Sequence, residues 1–309
     1  MKSHVLKIAR LPELLNELLY AEYEVIDATE NPADLPASAL AVRALLANGE
    51  SRVSRDLIEK LPELEIIVVF GVGYDGVDVQ AARERGIRVT HTPDVLTDDV
   101  ADFAMALLLG ISRRTADADR FVRAGAWSDG PFPFTRKISG ARLGIVGLGR
   151  IGKAIARRAA GFDMRIAYTG RSPQDAPYDF FASVVDLAAA VDFLVIAVGG
   201  GEKTLHLVDT DVLNALGPQG ILINVGRGSV VDEAALADAL REKRIYAAGL
   251  DVFEHEPQVH PDLLALDNVL LTPHMASATQ DTRQAMADLT LGNLAAYFAG
   301  DALPTPIPG

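Results

Sequence analysis

The stretch Gly147-Leu148-Gly149-Arg150-Ile151-Gly152 spaces its glycines as G-x-G-x-x-G. That spacing suits a dinucleotide. The first glycine permits a tight turn, the second lets backbone approach a pyrophosphate, and the third lets a helix lie close on a strand. The helix that begins there points N–H groups and positive partial charge at the phosphates, so Arg150 and Ile151 are expected at the cofactor with Gly147, Gly149 and Gly152. The next strand-like run, Arg165–Thr169, ends in Gly170-Arg171-Ser172. An acid at that place would bond both ribose hydroxyls and repel a 2′-phosphate. No acid occurs between Met164 and Gln174. Arg171 offers charge-assisted bonds to a phosphate, and Ser172 adds a hydroxyl. NADP(H) is therefore the expected cofactor, with NAD(H) as the lesser one.

Hydride transfer to a ketone needs a proton donor for the developing alkoxide and a cation for any substrate carboxylate. Three residues fit these needs. His274, in "LTPHMASAT", follows the strand-like Val269–Leu271. Glu256, in "DVFEHEP", lies beyond Ala247–Leu250. Arg227, in "INVGRGSVVDEAAL", follows Ile221–Val225 and precedes a helix capped by Asp232. Each sits just past the carboxyl end of a strand, where open α/β sheets hold their ligands, and the three could converge. The other histidines carry less: His206 in "TLHLVD" reads as a structural donor, His255 as a surface residue, and His4 and His260 give no signal. "EHEPQVHPD" resembles a metal-ligand cluster in composition. It lacks a helical i,i+4 histidine pair, and Pro257 and Pro261 break it, so no metal is expected.

These residues need a sheet to hold them. Strand-like runs in the first part are Val5–Ala9, Ala39–Leu46, Glu65–Phe70 and Arg88–Thr90. Later ones are Arg142–Val146, Arg165–Thr169, Phe193–Val198, Ile221–Val225, Ala247–Leu250 and Val269–Leu271. Helical patterns separate most of them, such as Gly152–Ala160, Asp232–Lys243 and Ala276–Ala299. Buried runs alternating with helices mean parallel sheets built from βαβ units. In "TDDVADFAMALLLGISRR", Thr97 can cap a helix whose apolar stripe is Val100, Phe103, Ala104, Leu107 and Ile111. The glycine turn falls mid-chain, so a sizeable α/β unit precedes it. We therefore expect two doubly wound parallel-sheet α/β domains. One is a flavodoxin-like substrate domain, residues 1–95 and 281–309. The other is a Rossmann-type cofactor domain, residues 96–280, with a cleft between them.

Composition narrows the classes. Of 309 residues, 49% are hydrophobic and 23% charged, a globular profile. A formal net charge of −13 argues against nucleic acid and against an anionic membrane surface. The absence of cysteine excludes disulfides, thiolate nucleophiles and Cys-ligated metals. No apolar stretch approaches a bilayer span, and "MKSHVLKIARLPELL" lacks a signal-peptide core, so a cytoplasmic location is expected.

Taken together, "GLGRIG", "NVGRGSVVDEAAL", "DVFEHEP" and "TPHMASAT" resemble the D-isomer-specific 2-hydroxyacid dehydrogenase family over most of the chain. "TPDVLTDDVADFAMALLLGISRR" and the "GRS" strand end look most like its hydroxypyruvate, glyoxylate and hydroxyphenylpyruvate reductase branch. The resemblance implies reduction of a small 2-oxo acid to a D-2-hydroxy acid. Its catalytic arginine, glutamate and histidine fall on Arg227, Glu256 and His274. His274 would protonate the carbonyl oxygen, Glu256 would orient its ring, and Arg227 would grip the substrate. Val72 and Gly73, in "VVFGVGYDGVD", match the family's carboxylate-binding backbone. Asp251 matches a residue near the nicotinamide amide, and Val198, Gly199 and Val225 would line the cofactor. The family's two-fold dimer implies a homodimer with Trp127 near the partner's pocket, where it would touch substrate. Three places depart from the family pattern: His91 stands where asparagine is common, Met275-Ala276 follows His274, and "VGGGEKT" replaces a proline-containing loop. Some relatives of this fold are nucleotide-sensing corepressors. The short tail "DALPTPIPG" and the lack of a basic face fit that alternative poorly.

Overall fold

A computed structural model describes residues 2–308. The chain forms two compact units, one from the residues up to Leu96 together with those from Ala278 onward, the other from Thr97–Ser277. Among the described residues no helix is long and apolar enough to cross a membrane.

The first unit carries strands β1 (His4–Lys7), β2 (Glu24–Asp27), β3 (Ala44–Asn48), β4 (Ile66–Phe70) and β5 (Arg88–Thr90). They pair in parallel in the order β2-β1-β3-β4-β5, the flavodoxin-like arrangement. Strand residues alternate between faces. Leu45, Ala47, Ile67 and Val69 enter one core, whereas Ala44, Leu46, Ile66 and Val68 meet Leu294 and Tyr297 on the other side. Those last two belong to the helix Gln280–Ala299, so the end of the chain completes the sheet that its beginning starts.

The second unit carries β6 (Arg142–Val146), β7 (Arg165–Thr169), β8 (Asp179–Phe181), β9 (Phe193–Ile196), β10 (Ile221–Asn224), β11 (Ala247–Leu250) and β12 (Val269–Leu271). All are parallel, in the order β12-β11-β10-β9-β6-β7-β8. This is the Rossmann winding, with its reversal between β6 and β9. Leu194, Ile196, Leu222, Ala248 and Leu250 share one core. The helix Thr97–Arg113 lies on the opposite face, so close that a Cβ on Gly249 would stand 3.3 Å from that of Leu107.

Two expectations need correction. Residues 39–46 are not one strand: Ala37–Ala41 is a 3-10 turn, and the strand begins at Ala44. The last helix begins at Gln280, capped by the Thr279 hydroxyl, not at Ala276. Residues 272–276 are instead drawn into a loop by Asp251. Strands β2 and β8 come in addition to the expected runs. Both are short edge strands with partly exposed faces, which leave a weak apolar signal.

Candidate active site

The glycine turn joins β6 to the helix Arg150–Ala160. Gly147 sits at φ +96°, a conformation side chains rarely adopt. A Cβ on Gly152 would stand 2.1 Å from the Gly147 carbonyl oxygen, so only glycine lets the helix start this close to the strand. Around Gly149 the space is open: a Cβ there would meet nothing within 4 Å. Gly149 is the N-cap and supplies no side-chain bond, leaving the first N–H groups to whatever lies before them. This vestibule suits a diphosphate. Arg150 is exposed and Ile151 half-buried at the helix start.

Beyond β7, Gly170, Arg171 and Ser172 are exposed. Their loop is tied down behind them. The Gln174 N–H donates to the Tyr168 hydroxyl at 2.6 Å, and its side-chain amide donates to the Leu148 carbonyl at 3.0 Å. The two segments expected at phosphates are thus linked. Gln174 carried no sequence signal, because its partner in the glycine turn lies 26 positions away. Val198 and Gly199 follow β9, and Val225 follows β10, at the same sheet end. The Gly226 Cβ position falls 2.5 Å from the Val198 carbonyl oxygen, so these two loops touch.

Arg227, Glu256 and His274 follow β10, β11 and β12, three adjacent strands. His274 Nδ1 lies 2.7 Å from Glu256 Oε2. The other Glu256 oxygen accepts from the Phe253 N–H at 2.8 Å, so both oxygens are engaged. Asn224, 1% exposed, braces the arginine turn: its amide donates to the Arg227 carbonyl, and its oxygen accepts from the Gly226 N–H. The Arg227 guanidinium donates to the Gly226 carbonyl at 2.9 Å. Gly228 abuts the loop that leads to Glu256, since its Cβ would fall 1.8 Å from the Phe253 carbonyl carbon.

His274 holds φ +49°, an uncommon backbone state for a side-chain-bearing residue. Asp251 secures it. Its carboxylate accepts from the Thr272 hydroxyl at 2.7 Å, the Met275 N–H at 2.9 Å and the Ala276 N–H at 2.8 Å. Its carbonyl accepts from the His274 N–H at 2.8 Å. Burial pushes the Asp251 carboxyl up from its ordinary value, against the hydrogen bonds that hold it down. Its place in the sequence gave no sign of this anchoring of the histidine loop.

The remaining candidates lie elsewhere. Val72 and Gly73 belong to the first unit, on the loop after β4, where the Val72 carbonyl is bonded by His91 Nδ1 at 2.9 Å. Trp127 is exposed in the 3-10 turn Ala126–Ser128. His206 lies 2.6 Å from Glu254, a second histidine–carboxylate pair in the second unit.

Known proteins resemble this chain in sequence and fold. Residues 105–276 match the D-isomer specific 2-hydroxyacid dehydrogenase, NAD binding domain. The chain is 46% identical over 307 residues to a hydroxyphenylpyruvate reductase of Plectranthus scutellarioides, covering 98% of each. It is 50% identical over 267 residues to a glyoxylate/hydroxypyruvate reductase of Arabidopsis thaliana, covering 86% of this chain and 85% of that one. In structure it is similar to an NADPH-dependent glyoxylate/hydroxypyruvate reductase of Sinorhizobium meliloti solved with NADP and malonate. The TM-score is 0.94 at 44% identity, covering 99% of this chain and 97% of that one.

Proposed function

The chain belongs to the D-isomer-specific 2-hydroxyacid dehydrogenase family, in its glyoxylate, hydroxypyruvate and hydroxyphenylpyruvate reductase branch, and from that premise we propose that it is an NADPH-preferring reductase of small 2-oxo acids. Membership makes it an NAD(P)-dependent oxidoreductase. Hydroxypyruvate and glyoxylate are the substrates we favour, with a D-2-hydroxy acid as product. The observation that carries the reading is the 2.7 Å His274–Glu256 pair at the strand end beside the Arg227 loop.

The reduced nicotinamide, when bound, supplies the hydride. Gly147, Gly149 and Gly152 with the helix N-terminus would hold its diphosphate, and Arg171 with Ser172 would take a 2′-phosphate. The Arg227 guanidinium binds the substrate carboxylate and polarises the carbonyl. With Nδ1 directed at Glu256, His274 Nε2 delivers the proton to the carbonyl oxygen as negative charge develops there. Glu256 fixes the ring's direction through its contact with Nδ1. Asp251 keeps the histidine loop in its left-handed bend, so the donor is placed before substrate arrives.

His274→Ala should cut kcat with hydroxypyruvate by about a hundredfold or more while NADPH still binds, as fluorescence titration would register. Turnover near wild type would move the proton donor to another group. We also propose that two copies pair. The exposed apolar side chains of Val122, Trp127 and Phe134 within one short segment support this reading.

A further inference from the structure

We infer that His206 is a positioning residue for the proton-donating pair: through Glu254 it fixes the turn that carries Glu256, linking the loop after β9 to His274. The contacts run unbroken. The Thr204 hydroxyl donates to the Gly199 carbonyl at 2.9 Å and closes the glycine-rich loop. Two residues on, His206 adopts φ +48°, and its N–H donates to the Ser229 carbonyl at 2.8 Å. That bend sends the imidazole to Glu254, with Nε2 2.6 Å from Oε1. Glu254 is gripped from the other side as well, because its N–H donates to Glu233 Oε1 at 2.7 Å. Glu233 is 5% exposed and opens the helix Glu233–Arg241. The adjacent Phe253 N–H donates to Glu256 Oε1, and Glu256 Oε2 meets His274. Glu254 therefore stands between two anchors, and the residue before it holds the catalytic carboxylate.

The charges support the link. Glu254 raises the His206 pKa above its ordinary value by accepting its hydrogen bond, more than burial lowers it. Asp232 adds in the same direction from 3.9 Å. The imidazole is thus favoured as a cation between carboxylates, the state in which the bridge is strongest. A turn released from that bridge would let Glu256 drift, and misplacing a catalytic group by about 1 Å can cost around a hundredfold in rate.

The inference rests on His274 being the proton donor, and the test separates the two. His206→Ala, His206→Gln, Glu254→Gln and the His206→Ala/Glu254→Gln double variant are made in the full chain beside His274→Ala. Each is measured for kcat with hydroxypyruvate, NADPH affinity by fluorescence, and the solvent deuterium isotope effect on kcat. His206→Ala and Glu254→Gln should each lower kcat about tenfold and raise the isotope effect, since proton delivery becomes harder, with NADPH affinity unchanged. His206→Gln keeps a donor to the Glu254 carboxylate, a bond still assisted by that charge, which Glu254→Gln loses, and should recover most of the rate. The double variant should be no slower than the slower single one, as expected for two members of one link. Wild-type kcat and isotope effect in Glu254→Gln would overturn the inference, even were His206→Ala to misfold. Additive losses, or losses confined to NADPH affinity, would overturn it too. An active His274→Ala would instead strike the donor assignment itself.

Discussion

Arg171 occupies the place where many dinucleotide folds carry an acid, and none of the described residues bonds its exposed guanidinium. Its loop is nonetheless ordered from behind by Gln174 and the Tyr168 hydroxyl, so a phosphate arriving there would not have to organise it. A charge-assisted contact of about 2 kcal/mol corresponds to roughly thirtyfold in affinity. Arg171→Ala should therefore raise the KM for NADPH by about that factor and leave the KM for NADH nearly unchanged. Equal losses for both cofactors in steady-state assays would reject the assignment. The proposal for this residue can be made from the sequence because it rests on neighbours one or two positions away. Gln174, Glu254 and the anchoring role of Asp251 could not be read there. The Gln174 contact with Leu148, the Glu254 contact with His206 and the Asp251 contact with Thr272 span 21 to 48 positions, and only the fold decides that they meet.

At the scale of elements, the candidate residues Arg227, Glu256 and His274 stand on three loops at one sheet end, each built against its neighbour. Gly228 is the tightest point. A methyl there would overlap the backbone of residues 253 and 254, so Gly228→Ala must push apart the loops after β10 and β11. We expect a stability loss of about 3 kcal/mol in urea titration, together with reduced turnover. An unchanged unfolding midpoint would show that the loops yield easily. The opposite sheet end has its own clasp. Arg142, opening β6, donates to Asp192, just before β9, from both its backbone N–H and its guanidinium at 2.8 Å. Arg142 holds the Asp192 carboxyl below its ordinary 3.8. A depressed carboxylate contributes stability that is present above pH 3.8 and lost as pH falls through the lower folded-state value. Asp192→Asn should thus narrow its stability gap to wild type as the solution is acidified below that point, which thermal melts across pH would detect. The interior strands could be read from their apolar runs because they are buried on both faces. The edge strands β2 and β8 could not, since their exposed sides dilute the pattern.

For the molecule as a whole, the parallel sheets follow from alternating strand and helix patterns and the glycine turn from its own spacing, whereas the strand orders are set only in the fold. Self-association does not follow from the sequence either, because a surface apolar residue looks the same in sequence whether or not something covers it. Trp127 is 69% exposed and is the chain's one tryptophan. If two copies meet there, Trp127→Ala should shift the mass measured by light scattering toward that of one chain at micromolar concentration. Unchanged mass and unchanged kinetics would place the partner surface elsewhere.

The helix Gln280–Ala299 packs on the sheet that His4–Lys7 begins, with the whole nucleotide-binding unit inserted between them. On the ribosome this reverses the expected schedule. The inserted unit leaves the exit tunnel complete and can fold at once, while the strands made first wait for a helix translated some two hundred codons later. Until then, the part of that sheet face which Leu294 and Tyr297 cover, beside Leu19 and Tyr23, has no helix laid on it.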